Sequence, residues 1–341
     1  MSCVTGPHED RVGWGVLSTG GIASTFATDL ALLTDEAELV AVSSRSVERA
    51  QDFADRHGFA RAYGSADELA ADEAVDVVYV ASIHNDHLAS ARTCLAAGKS
   101  VLVEKPLTIS AAESAELIDL AEANGRFLME AVWMRVHPLI RKAAEVAASG
   151  ELGAVRHVSA GFGFVLDGPE THRLLDPAQA GGTILDMGVY PVHAVNLFLG
   201  EPAEVSGYGS WRRTGVEGHA AALLSYPATE MRPTATASVI STFEVALPGA
   251  LEVYCTAGRI MIEEFFIRPE RMTIHRDGAE PEELVAQWPG GGYTFEAQEV
   301  MRCLRAGEQQ SPLVPWRDTL AVAWVLDEWR AALGDPPEVQ P

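Results

Sequence analysis

Gly13-Trp14-Gly15-Val16-Leu17-Ser18-Thr19-Gly20-Gly21-Ile22-Ala23 is the stretch on which the fold turns. Its first half continues an apolar run from Val12 and ends at a glycine pair, and Ile22, Phe26, Leu30 and Leu33 then fall on one helical face. The pattern predicts a strand over 12–17, a tight turn and a helix. Such a turn presents free N–H groups at a helix N-terminus and lets backbone approach an anion closely, as a dinucleotide pyrophosphate requires. Read as G-x-G-x-x-A, the register is Ser18, Gly20, Ala23, with serine replacing the first glycine. Ser18, Thr19, Gly20, Gly21 and Ile22 are therefore candidate cofactor-binding residues.

A glycine turn after a strand also serves packing alone, so its surroundings decide. Strand signals at 39–43, 76–81, 100–103 and 126–131 alternate with helix signals at 46–57 and 84–97. Ser65-Ala66-Asp67-Glu68 and Ser110-Ala111-Ala112-Glu113 read as capping boxes opening two more helices. Gly58, Gly98 and Gly125 are placed to end helices. Repeated β-α units with short connections specify a parallel, doubly wound sheet. At the end of the second strand, NAD-preferring sites usually carry an acid for the ribose 2′-hydroxyl. This chain has Ser43-Ser44-Arg45-Ser46 there, and a guanidinium with hydroxyls suits a 2′-phosphate. NADP is the expected cofactor ahead of NAD. In the competing reading Arg45 is a solvated helix-start residue and Ser46 an N-cap.

The pattern changes after Trp133. A helix is expected over 138–148, then strand-like stretches at 155–165, 203–213, 219–226, 234–245, 250–255 and 259–263. Many alternate with period two between Gly, Pro and charged turns, which suits antiparallel pairing. Helices over 294–306 and 316–333 close the chain. The expected class is α/β, with a Rossmann domain at 1–132 and an α+β domain at 133–341. The second domain would carry a large, mostly antiparallel open sheet.

The bulk properties set limits. A chain of 341 residues, 48% hydrophobic, has material for two cores. A formal net charge of −23, spread along the chain, repels nucleic acid and anionic membrane, so neither is an expected partner. Cys3, Cys94, Cys255 and Cys303 lie far apart without C-x-x-C spacing, which suits a reducing cytoplasm. Residues 1–10 are polar and acidic, unlike a signal peptide, and no apolar run is long enough to span a bilayer. Asp, His and Glu lack tight ligand spacing, so no metal is expected.

Two separated motifs carry the chemistry. Glu104-Lys105-Pro106 follows the apolar run Val101-Leu102-Val103, at the strand edge where ligands bind in open α/β sheets. Asp186 and Tyr190 are four apart and share a helical face, with His193 one turn on. Pro191 removes an N–H and predicts a kink near Tyr190. A lysine at a strand exit is as readily a solvated one. Ile184, Leu185, Val192, Val195, Leu197 and Phe198 equally suit a plain core helix.

The glycine turn, His84-Asn85-Asp86-His87, Glu104-Lys105-Pro106, Met129 through Pro138 with its Glu130-Ala131-x-Trp133-x-Arg135 core, and Gly181-Gly182 through Tyr190 resemble the Gfo/Idh/MocA oxidoreductase family. The resemblance spans essentially the whole chain and leans toward its dihydrodiol and xylose dehydrogenase branch. Ser18 and Ile83 depart from the pattern, the second where relatives commonly have proline. The resemblance implies an oxidoreductase acting on a hydroxyl of a sugar, polyol or cyclic diol, with Lys105 and Tyr190 as the catalytic pair and Asp186 in support. An ordinary tyrosine, titrating near about 10, is a poor base at neutral pH, and a nearby ammonium favours its phenolate. Ile83, His84, Asn85, His87, Glu104 and Lys105 are implied at the cofactor. Trp133, Arg135, Arg173, Asp186 and Tyr190 are the substrate-binding candidates. Relatives bury the open sheet face between subunits, so a homodimer or homotetramer is expected. A ketoreductase of a nucleotide-linked or other specialised sugar is the second reading, and a catalytically idle dinucleotide-binding regulator the third.

Overall fold

The computed structural model describes residues 11–230 and 233–336. Cys3 and the acidic N-terminal stretch lie outside the described residues. The chain divides into two compact units that interleave in sequence. One comprises Met1–Glu104, Ala115–Ala131 and Trp288–Pro312, and the other Lys105–Ser114, Val132–Gln287 and Leu313–Pro341.

The elements of the first third are β1 (Val12–Leu17), α1 (Gly21–Leu30), β2 (Ala37–Ser43), α2 (Val47–His57), β3 (Arg61–Tyr63), α3 (Ala66–Ala70), β4 (Val77–Val80), α4 (His87–Ala96), β5 (Ser100–Glu104), α5 (Ala111–Ala123) and β6 (Leu128–Ala131). The strands form one parallel sheet in the order β3-β2-β1-β4-β5-β6. β4 and β5 are buried along their whole length, as strands covered on both faces must be. Trp14, Phe26 and Tyr79 stack in this core, Phe26 and Tyr79 with centroids 3.9 Å apart. Ser46 caps α2 through Arg49 N, and Gly58 ends it with φ 83°. The Ser65 capping box closes differently from its usual form. Ser65 Oγ accepts from Glu68 N, but Glu68 Oε2 accepts from Gly64 N rather than Ser65 N.

The later helix α8 (Thr294–Ala306) belongs to this unit. Its approach is fixed by Asp29 of α1, whose carboxylate accepts from Gly291 N at 2.7 Å and Tyr293 N at 2.8 Å. Inside the same unit Tyr79 Oη donates to Glu104 Oε1. Glu296 of α8 is fully buried, and neither carboxylate oxygen has a hydrogen-bond partner among the described residues. Burial above all, then the charges of Glu104 and Asp29, hold its carboxyl well above the usual range, in its neutral form.

The second unit holds α6 (Pro138–Ser149), β7 (Val155–Gly163), α7 (Val189–Leu199), β8 (Glu204–Trp211), β9 (Glu217–Tyr226), β10 (Ala235–Thr242), β11 (Leu251–Cys255), β12 (Gly258–Ile262), β13 (Arg271–Arg276), β14 (Glu282–Val285) and α9 (Trp316–Ala332). Its eight strands run in the order β14-β13-β12-β11-β7-β10-β9-β8, antiparallel except for the parallel β7–β10 pair. α7 and α9 pack on one face. On β9 the even residues Ala220, Ala222, Leu224 and Tyr226 are buried, while Leu223 is 52% exposed. The periodicity announces none of β3, β13 and β14: β3 and β14 are edge strands of three and four residues, and β13 between β14 and β12 is charge-rich.

One irregularity matters for the site. Ser210 pairs with His219, but the next residue, Trp211, pairs with Glu217. Gly218 is thus an inserted residue, a β-bulge. It turns Glu217, which strict alternation would place with Leu223, into the interior at 3% exposure.

Candidate active site

The nucleotide half is built on the turn after β1. Gly20 is the N-cap of α1, with extended backbone and no side-chain cap, and no acidic residue occupies the first helical turn. A Cβ at Gly21 would meet nothing within 4 Å, and one at Gly20 only Ser18 Oγ at 3.8 Å. Backbone N–H groups are therefore approachable from outside, the cradle a pyrophosphate fits. Ser18 takes φ 98°, a conformation that favours glycine, and its N–H donates to Ser43 O at 2.9 Å. Arg45 is exposed and Ser44 half-buried at the end of β2, while Ser46 is occupied as the α2 cap. Ser43 is buried.

The segment after β4 starts with a single 3-10 turn, His84–Asp86, before α4 begins at His87. Asn85 is exposed, Ile83 half-buried and His84 buried. His87 lies deeper. It has no exposed surface, and its Nε2 lies 3.2 Å from Ser82 O, so it shapes the loop from inside.

The second unit gathers the catalytic candidates. The expected kink near Tyr190 appears one turn earlier, as a π-turn over Ile184–Gly188 that runs into α7. The π-turn includes Asp186 and its carbonyl. Lys105 Nζ donates to that Asp186 carbonyl at 2.6 Å and lies 3.4 Å from its Oδ1. The same ammonium stands 4.9 Å from the centre of the Tyr190 ring. Arg173, in a 3-10 turn over Arg173–Leu175, brings Nη2 to 3.9 Å from Asp186 Oδ1. Lysine, carboxylate and phenol are thus one group, with Tyr190 8% and Asp186 7% exposed.

Other candidates fall elsewhere. Arg135 is held by other residues of the second unit. It is 3% exposed, and its guanidinium donates to Leu313 O, Asn196 Oδ1 and Asp318 Oδ2. Its charge is met inside the second unit. Trp133 is buried in the adjoining 3-10 turn over Trp133–Val136, and His193 is completely buried. His137 caps α6 by accepting from Leu139 N, and burial, with Arg268 nearby, lowers its pKa to about 4. Glu104 has a carboxylate committed to Tyr79.

Two contacts escaped the sequence reading. Phe162 meets the Tyr190 ring edge-to-face with centroids 6.0 Å apart, giving the phenol an apolar wall. Glu217, turned inward by the bulge, accepts from Ile184 N at 3.2 Å. Burial pushes the Glu217 carboxyl up, opposed by its own N–H, Arg330 and the Ile184 N–H. Strand alternation gave no signal for either contact, since both depend on register between distant segments.

A parallel six-stranded sheet with an open glycine turn, followed by a large open sheet, defines an oxidoreductase built on an NAD(P)-binding Rossmann domain. Residues 12–132 match the model of the oxidoreductase family with an NAD-binding Rossmann fold, and residues 140–261 match the GFO/IDH/MocA C-terminal domain. The chain belongs to the Gfo/Idh/MocA family. It is an enzyme acting on CH–OH groups, as members of that family are. Trans-1,2-dihydrobenzene-1,2-diol dehydrogenase of Mus musculus is 37% identical, over 94% of this chain and 96% of that one. The enzyme of that name from Oryctolagus cuniculus is 38% identical, over 94% and 98%. Among solved structures, a 3-ketoreductase from Actinomadura kijaniata in complex with NADP and TDP-benzene is 26% identical with TM-score 0.81, covering 96% of this chain and 99% of that one.

Proposed function

We propose that this chain is an NADP-dependent oxidoreductase that interconverts a hydroxyl and a carbonyl on a sugar, polyol or cyclic diol. The observation that carries the reading is the meeting of Lys105, Asp186 and Tyr190. Residues 1–132 would bind the cofactor, with Ser18 to Ile22 at the pyrophosphate and Ser44 and Arg45 at the 2′-phosphate. The cofactor, when bound, supplies the site for hydride exchange. Tyr190 exchanges the substrate hydroxyl proton as general acid and base. Lys105 favours the phenolate by its charge and orients the substrate oxygen, and Asp186 and Arg173 hold neighbouring hydroxyls. The names of the 35–38% identical dehydrogenases support the diol, and the NADP in the ketoreductase complex supports the cofactor.

The second reading, a ketoreductase of a nucleotide-linked sugar, is favoured by the TDP-benzene of that complex. The idle-regulator reading is disfavoured by the assembled triad. The exposed Leu223, Ile240 and Tyr254 on the open sheet face support a homodimer or homotetramer, and the free thiols of Cys94, Cys255 and Cys303 support a reducing cytoplasm. Among the described residues no helix is long and apolar enough to cross a membrane. The test is a panel of aldoses, ketoses, inositols and trans-diols, each assayed with NADP and NAD. NADP-linked oxidation of a diol or sugar, absent in Tyr190→Phe, is the expected result. Cofactor binding with no turnover on any of them would overturn the reading.

A further inference from the structure

Glycine usually precedes a helix to leave room for something, and at Gly182 what fills the room belongs to the protein. Gly182 has φ 118°, and a Cβ there would lie 2.4 Å from Glu217 Oε1 and 2.6 Å from Oε2. The carboxylate therefore packs directly on the Gly182 backbone and receives the N–H of Ile184, the first residue of the π-turn. The approach to that point is itself fixed. Gly181 N donates to Asp176 O at 3.0 Å and Gly182 N to Leu174 O at 2.9 Å. A Cβ at Gly181 would be 2.7 Å from Leu174 O, so the turn has no slack on its other side.

On the strand side, the Gly218 bulge is what delivers Glu217. A Cβ at Gly218 would lie 2.6 Å from Arg212 Cδ and 2.7 Å from Glu244 Oε1, so those side chains would have to shift to admit one. Two tight glycine sites and one off-register carboxylate thus converge on a single backbone N–H. That N–H lies two residues before Asp186, the residue whose carbonyl receives Lys105.

We infer that Glu217 is a positioning residue for the Lys105–Asp186–Tyr190 group: by holding Ile184 N it fixes the π-turn that offers the Asp186 carbonyl to Lys105 and keeps the ammonium over the Tyr190 ring. It touches none of the reacting atoms and acts through the helix start. The inference rests on the proposed role of that group in the reaction, but its consequence for Tyr190 needs no substrate. Lys105 reaches both Asp186 and the Tyr190 ring, and Arg173 reaches the Asp186 carboxylate; the Lys105 contact is the one made to the π-turn carbonyl.

The test uses the full chain and two conservative variants. Glu217→Asp shortens the side chain by one methylene and withdraws the carboxylate from Ile184 N. Glu217→Gln keeps the reach and one acceptor oxygen. The ionisation of Tyr190 is read by tyrosinate difference absorbance against pH, with Tyr190→Phe in the same background as the blank. Glu217→Asp is expected to move the Tyr190 midpoint upward by about one pH unit, as the ammonium leaves the ring. Glu217→Gln is expected to leave it in place. Both should unfold cooperatively, which shows that a shift is not loss of fold. Where a substrate is turned over, kcat should fall about tenfold or more in the Asp variant, with KM for NADPH unchanged, and recover in the Gln variant. An unmoved midpoint in Glu217→Asp, or an equal shift in both variants, overturns the inference. Failure of the whole substrate panel with the midpoint behaving as expected would sink the functional reading and leave the positioning role standing.

Discussion

Two glycine turns open two helices in this molecule, and they use the same backbone in opposite ways. At Gly20-Gly21 the start of α1 has no capping side chain, and an added Cβ at Gly21 would meet nothing. At Gly181-Gly182 the start of the π-turn is closed by Glu217. A helix N-terminus attracts negative charge wherever it occurs. The first turn leaves that attraction for a ligand, and the second spends it on holding its own helix. In the proposed reading glycine therefore marks a binding site in one place, and in the other a framework.

The largest expected effect breaks the chemistry served by the second turn. Tyr190→Phe should lower turnover by about a thousandfold, within the usual range for losing a general acid–base. NADPH affinity, measured by fluorescence titration, should be unchanged, and turnover near wild type would remove Tyr190 from its role. Next, Gly182→Ala should cost about 2–3 kcal/mol of stability, because a Cβ there both meets the carboxylate and strains the φ of 118°. Gly20→Ala should leave stability within about 0.5 kcal/mol but weaken NADPH binding about tenfold, through lost backbone approach. Thermal melts and titrations of the pair check this, and a destabilised Gly20→Ala would erase the distinction between the turns.

Glu296 sharpens the contrast from another side, being a buried acid that closes nothing. Its folded-state pKa is raised, so the neutral form is favoured by folding. The associated stability is fully present below the unfolded value of about 4.3 and is lost as pH rises toward the folded pKa. Glu296→Gln, which is always neutral, should match wild type near pH 4 and become progressively more stable than it at alkaline pH. Melting curves across that range would contradict the assignment if the difference shrank with rising pH. The smallest effect belongs to Ser18→Gly. Relief of the φ of 98° is partly offset by glycine's larger unfolded-state entropy, so a net gain of at most about 1 kcal/mol is expected. A clear loss of stability would show that the serine side chain matters more than its backbone.

Much of this was legible in the sequence for local reasons. The strand–turn–helix at 12–30, the caps at Ser46 and Ser65 and the terminators Gly58 and Gly98 depend on neighbours a few residues away, and the structure has them in place. The i, i+4 spacing of Asp186 and Tyr190 was equally local. The burial of His87 and Arg135 was not legible, because burial depends on what packs over a residue, which spacing does not report. His87 is enclosed, and Arg135 is held by residues as distant as Leu313 and Asp318. The edge strands β3 and β14 were missed because edge positions are chosen by pairing and leave weak hydrophobic patterns, and β13 because charged residues flank its short apolar alternation.

Residue order alone sets the doubly wound first sheet and the antiparallel character of the second, and it names the residue types proposed to move a proton. Only the tertiary structure decided which atoms of those residues meet. Lys105 reaches the backbone carbonyl of Asp186 where a π-turn leads into α7. Glu217 faces inward because one extra residue, Gly218, reverses its strand. Both outcomes hang on a register slip of a single residue, which redirects a side chain or a carbonyl without changing the apolar pattern around it.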